Sequence, residues 1–444
     1  MHRHHPPLKL VVLVLLLGGA LFLIGYFHRV APATMTSELM GDFSIGATML
    51  GNLSAVYFYS YVLMQVPTGV LVDRWGPRRI LALGALTAGI GGLLFALAPS
   101  LSLAIAGRFL VGAAVAVAFI SILKLATHWI PPQRFALVMG MTVLVGVIGG
   151  LGGGLPLAFL VDLHGWRAVM TAVAILTLVL ALAIWGFVRD DPSDRGYRSH
   201  AAAGRRRSRP GVFASLRAAA GHYNVWLLSL AAAGACGALL TFAGLWGVPF
   251  LMTHYALPRT TAAAYCSIML LAFALGGPLL GTLSERLGRR KPLYLIGTGI
   301  ALLAWVGLIL LPDLPLPVLA LAMVAAGFGC GGAMVISFTH AKESVPIRFA
   351  GSVAGLVNMG AVLGPMLLQP VTGSILDHHW SGWTERGQQL YTLEAYQYAF
   401  LPMAIWVALA LVLYACTRET YCRPLPDCEE TAGDTPTAPE RQYT

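Results

Sequence analysis

Two arginines stand inside apolar stretches, where an ionisable side chain is costly and is therefore a functional candidate. Arg29 stands near the end of the first apolar run, and Arg108 stands a few residues into a later run. A guanidinium offers a planar set of donors that suits carboxylate, phosphate or nitrate. Because neither arginine has an acid nearby in the sequence, the pair predicts a shared anion site. The alternative stays open: Arg29 extends to the membrane interface, and Arg108 bonds to helix carbonyls.

A polar stripe on a later apolar run offers a wall for such a site. Tyr57, Tyr61 and Gln65 recur every fourth residue, which places them on one face of a helix. Polar aromatic residues should avoid lipid, so a cavity wall is predicted; the alternative is packing against a neighbouring helix with satisfied hydroxyls. The second half of the chain offers three candidates for the facing wall, namely Trp246, Asn358 and Gln369.

His28 is the candidate for carrying a proton inside an apolar run. It precedes Arg29, and an ordinary imidazole titrates near neutral pH. The apolar runs contain almost no acids that might carry a proton instead. A hydrogen-bonded spacer is the alternative role for His28, and a function that needs no coupled proton also stays open.

The elements that hold these residues must be membrane helices. Hydrophobic residues make up 57% of the chain and charged residues 11%, whereas a soluble domain is about a quarter charged. One span needs about 20 apolar residues, which predicts roughly a dozen spans. The net charge of +10 falls between the apolar runs, which is typical of cytoplasmic loops rather than of nucleic-acid binding.

Several function classes are excluded by what the sequence lacks. No ATP-binding glycine-rich loop, metal-ligand cluster or hydrolytic triad is present in it. We therefore expect no enzymatic activity, no cofactor, no bound metal and no nucleic-acid partner.

The apolar runs fall into two groups of six. Residues 1–188 form the first predicted bundle, 189–222 a basic linker with a short interfacial helix near 212–220, and 223–416 the second bundle. Residues 417–444 are polar and predicted to be a disordered tail. The distribution of lysine and arginine places both termini and the linker in the cytoplasm.

A charged motif recurs once in each half of the chain. In both copies a glycine is followed by an acid four residues later, then by an arginine, a second glycine and further basic residues. Its members in the two copies are Gly69, Asp73, Arg74 and Arg78, and Gly281, Glu285, Arg286 and Arg289.

These two stretches resemble the signature of the major facilitator superfamily, which lies between helices 2 and 3 and between helices 8 and 9. The spacing of Leu103, Arg108 and Gly112 is similar to that family's helix 4 motif, and the resemblance covers residues 8–416. It implies an all-α protein with twelve transmembrane helices in two six-helix pseudo-repeats. It also implies alternating access to a site between the halves, with the signature latching the inner side.

The resemblance also narrows the predicted cargo. Tyr26 and Arg29 resemble the Tyr-x-x-Arg of organic-anion carriers in this superfamily, although His28 replaces the acid that often precedes that arginine. Proton-driven exporters usually carry Gly-Pro in helix 5, where this chain has Gly146 and Val147. The sequence thus predicts a monomeric secondary transporter in a bacterial inner membrane. Its expected partners are the lipid bilayer, a small anionic or zwitterionic solute (a carboxylate, sugar acid or short peptide) and H+ as candidate coupling ion.

Two rival functions remain open at this point. A multidrug or siderophore-type exporter would not depend on the charge of Arg29. A transporter-like receptor or scaffold would bind its ligand without flux.

Overall fold

The computed structural model describes residues 4–200, 221–311, 313–346, 349–385 and 388–423. Within these ranges, twelve helical spans are long and apolar enough to cross a membrane, which confirms the predicted number. Spans 1 to 6 are Leu8–Thr34, Ala47–Trp75, Pro77–Ala96, Leu101–Trp129, Pro132–His164 and Trp166–Phe187. Spans 7 to 12 are Tyr223–His254, Arg259–Leu287, Lys291–Leu310, Leu316–Glu343, Val353–His378 and Leu393–Cys416.

Two short elements were not predicted. A helix, Thr36–Phe43, lies between spans 1 and 2. A strand β1, Thr384–Glu385, pairs antiparallel with β2, Gln388–Gln389, between spans 11 and 12. Both elements are too short to give a periodic pattern in the sequence.

The signature is less of a loop than the sequence suggests. Span 2 continues to Trp75, so that only Gly76 separates it from span 3. Gly76 has φ +82°, which favours glycine, and Pro77 begins the next helix where its missing N–H costs nothing. In the second copy, Gly288 with φ +63° ends span 8 in the same way.

The two halves meet most closely where span 2 packs against span 11. A Cβ on Gly51 would lie 2.5 Å from the carbonyl oxygen of Gln369, and one on Gly373 would lie 2.3 Å from the oxygen of Ala47. Such distances require glycine, because any side chain would overlap the opposing backbone. These glycines therefore set how closely the halves approach.

Successive spans cross the fold in opposite directions, so that their ends lie on two faces. We call the side where span 1 begins and span 12 ends the termini face, and the other side the opposite face. Span 6 ends at Phe187 and span 7 begins at Tyr223. The division at 188 and 223 stays a prediction; the expected interfacial helix at 212–220 and most of the tail, 424–444, lie outside the described residues.

Candidate substrate site between the two halves

A cavity lies between the halves, part-way along the spans. It encloses about 630 Å³, counting the space at its open mouth. Three predicted site residues line it together: Tyr26 and Arg29 from span 1, and Asn358 from span 11. The sequence reasoning did not find the rest of the lining, which is Val30, Val147, Gly150, Cys236, Leu239, Leu240, Leu270, Phe273, Met334, Ala361 and Val362.

Arg29 is held by aromatic side chains. Its Nε donates to the hydroxyl of Tyr57 at 3.4 Å, and its guanidinium carbon lies 4.3 Å from the ring centre of Tyr26 and 4.7 Å from that of Tyr61. The side chain is 6% exposed. Among the described residues, no carboxylate forms an ion pair with it. Ring faces attract a cation but do not neutralise it, so Arg29 presents a positive charge at the cavity.

Arg108 lies on the other side of Tyr57 and is not among the residues that line the cavity. Its Nη1 donates to the carbonyl of His28 at 2.9 Å and its Nη2 to that of Ser54 at 3.2 Å. The side chain is 1% exposed. In this conformation Arg108 joins spans 1, 2 and 4, which matches its alternative role of bonding helix carbonyls. A substrate contact for Arg108 stays a prediction that the geometry does not favour.

His28 is buried beside these groups but is also not part of the cavity lining. It is 2% exposed, and its Nδ1 has no hydrogen-bond partner among the described residues. Its carbonyl binds Arg108, and its ring lies edge-on to Phe27 at 5.6 Å. The coupling role of His28 stays a prediction.

The remaining predicted wall residues take different positions. Tyr57 and Tyr61 are buried and contact Arg29, while Gln65 is partly exposed one turn nearer the termini face. Trp246 and Gln369 are buried behind the cavity wall, where the indole Nε1 donates to the carbonyl of Gln369 at 3.3 Å. A π-helical turn over Phe242–Trp246 changes the register of span 7 at this point.

The halves are joined at the opposite face by an acid that caps a helix. Asp377 of span 11 accepts hydrogen bonds from the backbone N–H groups of Ala47 at 2.9 Å and Thr48 at 2.8 Å. These groups begin span 2, where the helix dipole favours a negative charge. The hydroxyl of Tyr391 donates to the same carboxylate at 2.7 Å.

A second contact joins the halves on the same face. Arg259 at the start of span 8 pairs with Glu38 at 2.5 Å and with Asp162 at 3.4 Å. The backbone N–H of Leu155 donates to Ser267 at 3.2 Å.

On the termini face, the signature contacts only its own half. Asp73 pairs with Lys124, and the backbone N–H of Arg78 donates to Asp190 at 2.6 Å. Arg74, Arg286 and Arg289 are exposed. Beside the second copy, the buried arginine is Arg290, whose guanidinium binds Glu343 at 2.7 Å and lies 3.9 Å from Glu285. The predicted latch across the halves stays a prediction, because these described contacts of the signature lie within each half.

A second helix-capping acid follows span 12. Glu419 accepts from the backbone N–H groups of Arg290 at 3.0 Å and Lys291 at 2.8 Å. Burial raises the pKa of Glu419, but these hydrogen bonds outweigh it, so the pKa lies below its ordinary value of 4.5.

Twelve spans in two similar halves around a central cavity define a membrane transporter. Residues 15–248 and 232–427 each match the model of the Major Facilitator Superfamily, and the chain belongs to this family. It is therefore a multi-pass integral membrane protein and a secondary transporter, as the duplicated signature predicted.

Individual relatives are distant. The uncharacterized transporter YybO of Bacillus subtilis (strain 168) is 29% identical over 172 residues, so that the match spans 39% of each of the two proteins. The probable sulfoacetate transporter SauU of Cupriavidus necator is 22% identical over 373 residues, covering 80% of this chain and 85% of the relative. A solved bacterial homologue of the human lysosomal transporter Spinster superposes with a TM-score of 0.77 at 21% identity, covering 92% and 97% of the two chains.

Proposed function

We propose that the protein moves a small anionic or zwitterionic organic solute, such as a carboxylate, sugar acid or short peptide, across the membrane. The single observation that carries the proposal is Arg29, a buried cation that lines the cavity between the halves. A carboxylate there would complete the charge-assisted hydrogen bonds that the aromatic neighbours leave unmade. The match to a probable sulfoacetate transporter supports an organic anion as cargo.

Alternating access is the mechanism we propose for this movement. The opposite face is held by Asp377 and Arg259, while the described contacts of the signature stay within each half. We propose that the termini face is cytoplasmic in a bacterial inner membrane, so that this conformation opens inward. Breaking the Asp377 and Arg259 contacts, and closing the halves through Gly69, Asp73 and Gly281, would open the site outward.

Proton coupling through His28 is the part of the proposal with the least structural support. If His28 carries the coupling proton, His28→Gln should abolish accumulation driven by a pH gradient but retain exchange of labelled for unlabelled solute. Equal accumulation by the wild type and the variant would remove His28 from the mechanism.

A proteoliposome uptake screen tests the proposed cargo. Labelled acids, peptides and drugs would be compared for the wild type, Arg29→Gln and Arg29→Lys. Arg134→Gln is the matched control, because Arg134 is an exposed arginine outside the cavity. We expect saturable uptake of one or more acids, lost in Arg29→Gln only and partly kept in Arg29→Lys.

Other outcomes of the screen favour the rivals. Acid uptake that is normal in Arg29→Gln would refute the anion site. Drug uptake that is indifferent to Arg29 would support an exporter, and binding without uptake would support a receptor.

A further inference from the structure

The two walls of the cavity differ in chemistry. The charge and the hydroxyl come from the N-terminal half, through Arg29 and Tyr26. The facing wall is mostly hydrocarbon, from Leu239, Leu240, Leu270, Phe273 and Met334. Asn358 supplies the one side-chain amide of the facing wall. The thiol of Cys236 is a weak donor, and it is already directed at the sulfur of Met334 at 3.2 Å.

A solute rich in hydroxyls would fit this arrangement poorly. Each hydroxyl must leave water on entry, and burying it without a hydrogen-bond partner is unfavourable. The facing wall offers only the side-chain amide of Asn358 to bind all the hydroxyl groups of such a solute. A sugar acid would therefore satisfy its carboxylate at Arg29 and leave much of its ring or chain unpaired.

A second negative group would fit poorly for a similar reason. Arg29 is the only cationic side chain among the residues that line the described cavity. A second carboxylate would lie against Leu240 or Phe273, where removing it from water is not compensated by a partner. The site thus favours one charge on the solute.

We infer that, within the class of the proposed function, the substrate is an amphiphilic monoanion. One acidic head binds Arg29, and an aliphatic or aromatic body lies against the leucines, Phe273 and Met334. This inference rests on the proposed anion site, and it excludes sugar acids and dicarboxylates that the proposed function still admits.

Matched ligands test the inference by direct binding. The full chain in nanodiscs would be titrated with butanoate, hexanoate and octanoate, with empty nanodiscs subtracted for partitioning into lipid. Gluconate is the hydroxylated match for hexanoate, octanedioate is the dianion matched to octanoate, and octanamide is its neutral match. Each buried methylene should tighten binding about fourfold. Gluconate should bind at least tenfold more weakly than hexanoate, and octanedioate and octanamide at least tenfold more weakly than octanoate.

A variant tests whether the apolar wall causes the increase of affinity with chain length, which we call the chain-length gradient. Met334→Gln keeps nearly the same shape and should flatten the chain-length dependence to about twofold per methylene. Met49→Gln makes the same exchange at an exposed methionine outside the cavity and should leave the gradient unchanged. A full gradient in Met334→Gln would contradict the assignment of the apolar wall.

The outcomes separate this inference from the proposed function. Gluconate or octanedioate binding as tightly as its match, with loss in Arg29→Gln, would overturn the amphiphilic class and keep the anion site. Octanamide binding as tightly as octanoate would overturn the anion site itself. Absence of binding by every acid would contradict both.

Discussion

The two walls of the cavity come from halves that share a fold and a duplicated signature, yet only the N-terminal wall carries a charged side chain. The N-terminal wall holds Arg29 with Tyr26 and Tyr61 against its guanidinium. The C-terminal wall is a hydrocarbon surface built around Leu240 and Phe273. The two halves thus share a fold and present different side chains to the cavity between them.

The two halves also differ in where their polar side chains lie. In the N-terminal half, polar side chains surround Tyr57 between Arg29 and Arg108. In the C-terminal half, Arg290 and Glu343 form a buried pair near the termini face, away from the cavity. Arg29 thus places a charge at the cavity in one half, whereas Arg290 and Glu343 hold helices together away from the cavity in the other.

The largest effect is expected when the charged side chain of the N-terminal wall is replaced. Arg29→Gln should weaken binding of the transported acid about 100-fold, because charge-assisted hydrogen bonds contribute about 1.5–3 kcal/mol each. Asn358→Ala on the facing wall should weaken it less than tenfold. Equilibrium binding in nanodiscs measures both, and equal losses would show that the walls do not divide the work as described.

Arg108 should behave differently from Arg29 although both are buried arginines. Arg108→Gln should lower the stability of the protein by about 2 kcal/mol, because the carbonyls of His28 and Ser54 lose their donors. The folded fraction should bind the acid with nearly unchanged affinity. Thermal unfolding together with binding per folded molecule tests this, and a loss of affinity without a loss of stability would place Arg108 in the site.

Asp377 should control the balance between inward-open and outward-open states. Removing a helix-capping acid costs about 0.5–2 kcal/mol, so Asp377→Ala should shift that equilibrium several-fold toward separation at the opposite face. Distances between spin labels on the two halves would report the shift. Asp42→Ala is the control, because Asp42 contacts Trp166 and Arg167 within its own half.

The smallest effect is expected at Glu419, which caps the start of span 9 in the C-terminal half. Because its folded-state pKa lies below 4.5, its contribution to stability is complete above that pH and is lost as the pH falls through the lower value. The protection factors of the Arg290 and Lys291 amides, which compare their exchange rates with those of the unfolded chain at the same pH, should therefore fall only in acid. Glu419→Gln should show faster exchange already at neutral pH, and identical exchange in the two proteins would contradict the cap.

The sequence predicted the frame well and the site in part. The number of spans follows from apolar length, and the signature and the two-half architecture follow from the resemblance of the duplicated motif to the family. Tyr26, Arg29 and Asn358 were each predicted as site residues, and the structure brings them to one cavity. The position of Trp246 did not follow from the sequence, because the π-helical turn in span 7 breaks the helical period used to place it. Gln369, in span 11, is also not among the residues that line the cavity. The sequence could not decide between the two roles of Arg108, substrate contact and bonding to helix carbonyls. The two roles differ only in which neighbours span 4 packs against.

The contacts that close the opposite face were also beyond the sequence. Asp377 and Ala47 are separated by most of the chain. A helical pattern states which face of span 11 is apolar, but it does not state which helix start lies beside its last acid. That pairing depends on how the two halves pack, which the glycines of spans 2 and 11 determine.

A structure of the protein with the best acid from the uptake screen bound tests the central claim most directly. The account predicts the carboxylate within hydrogen-bond distance of the Arg29 guanidinium, with the rest of the acid between Leu240 and Met334. An acid bound with its carboxylate away from Arg29, at a position where Arg29→Gln does not alter its occupancy, would contradict the account.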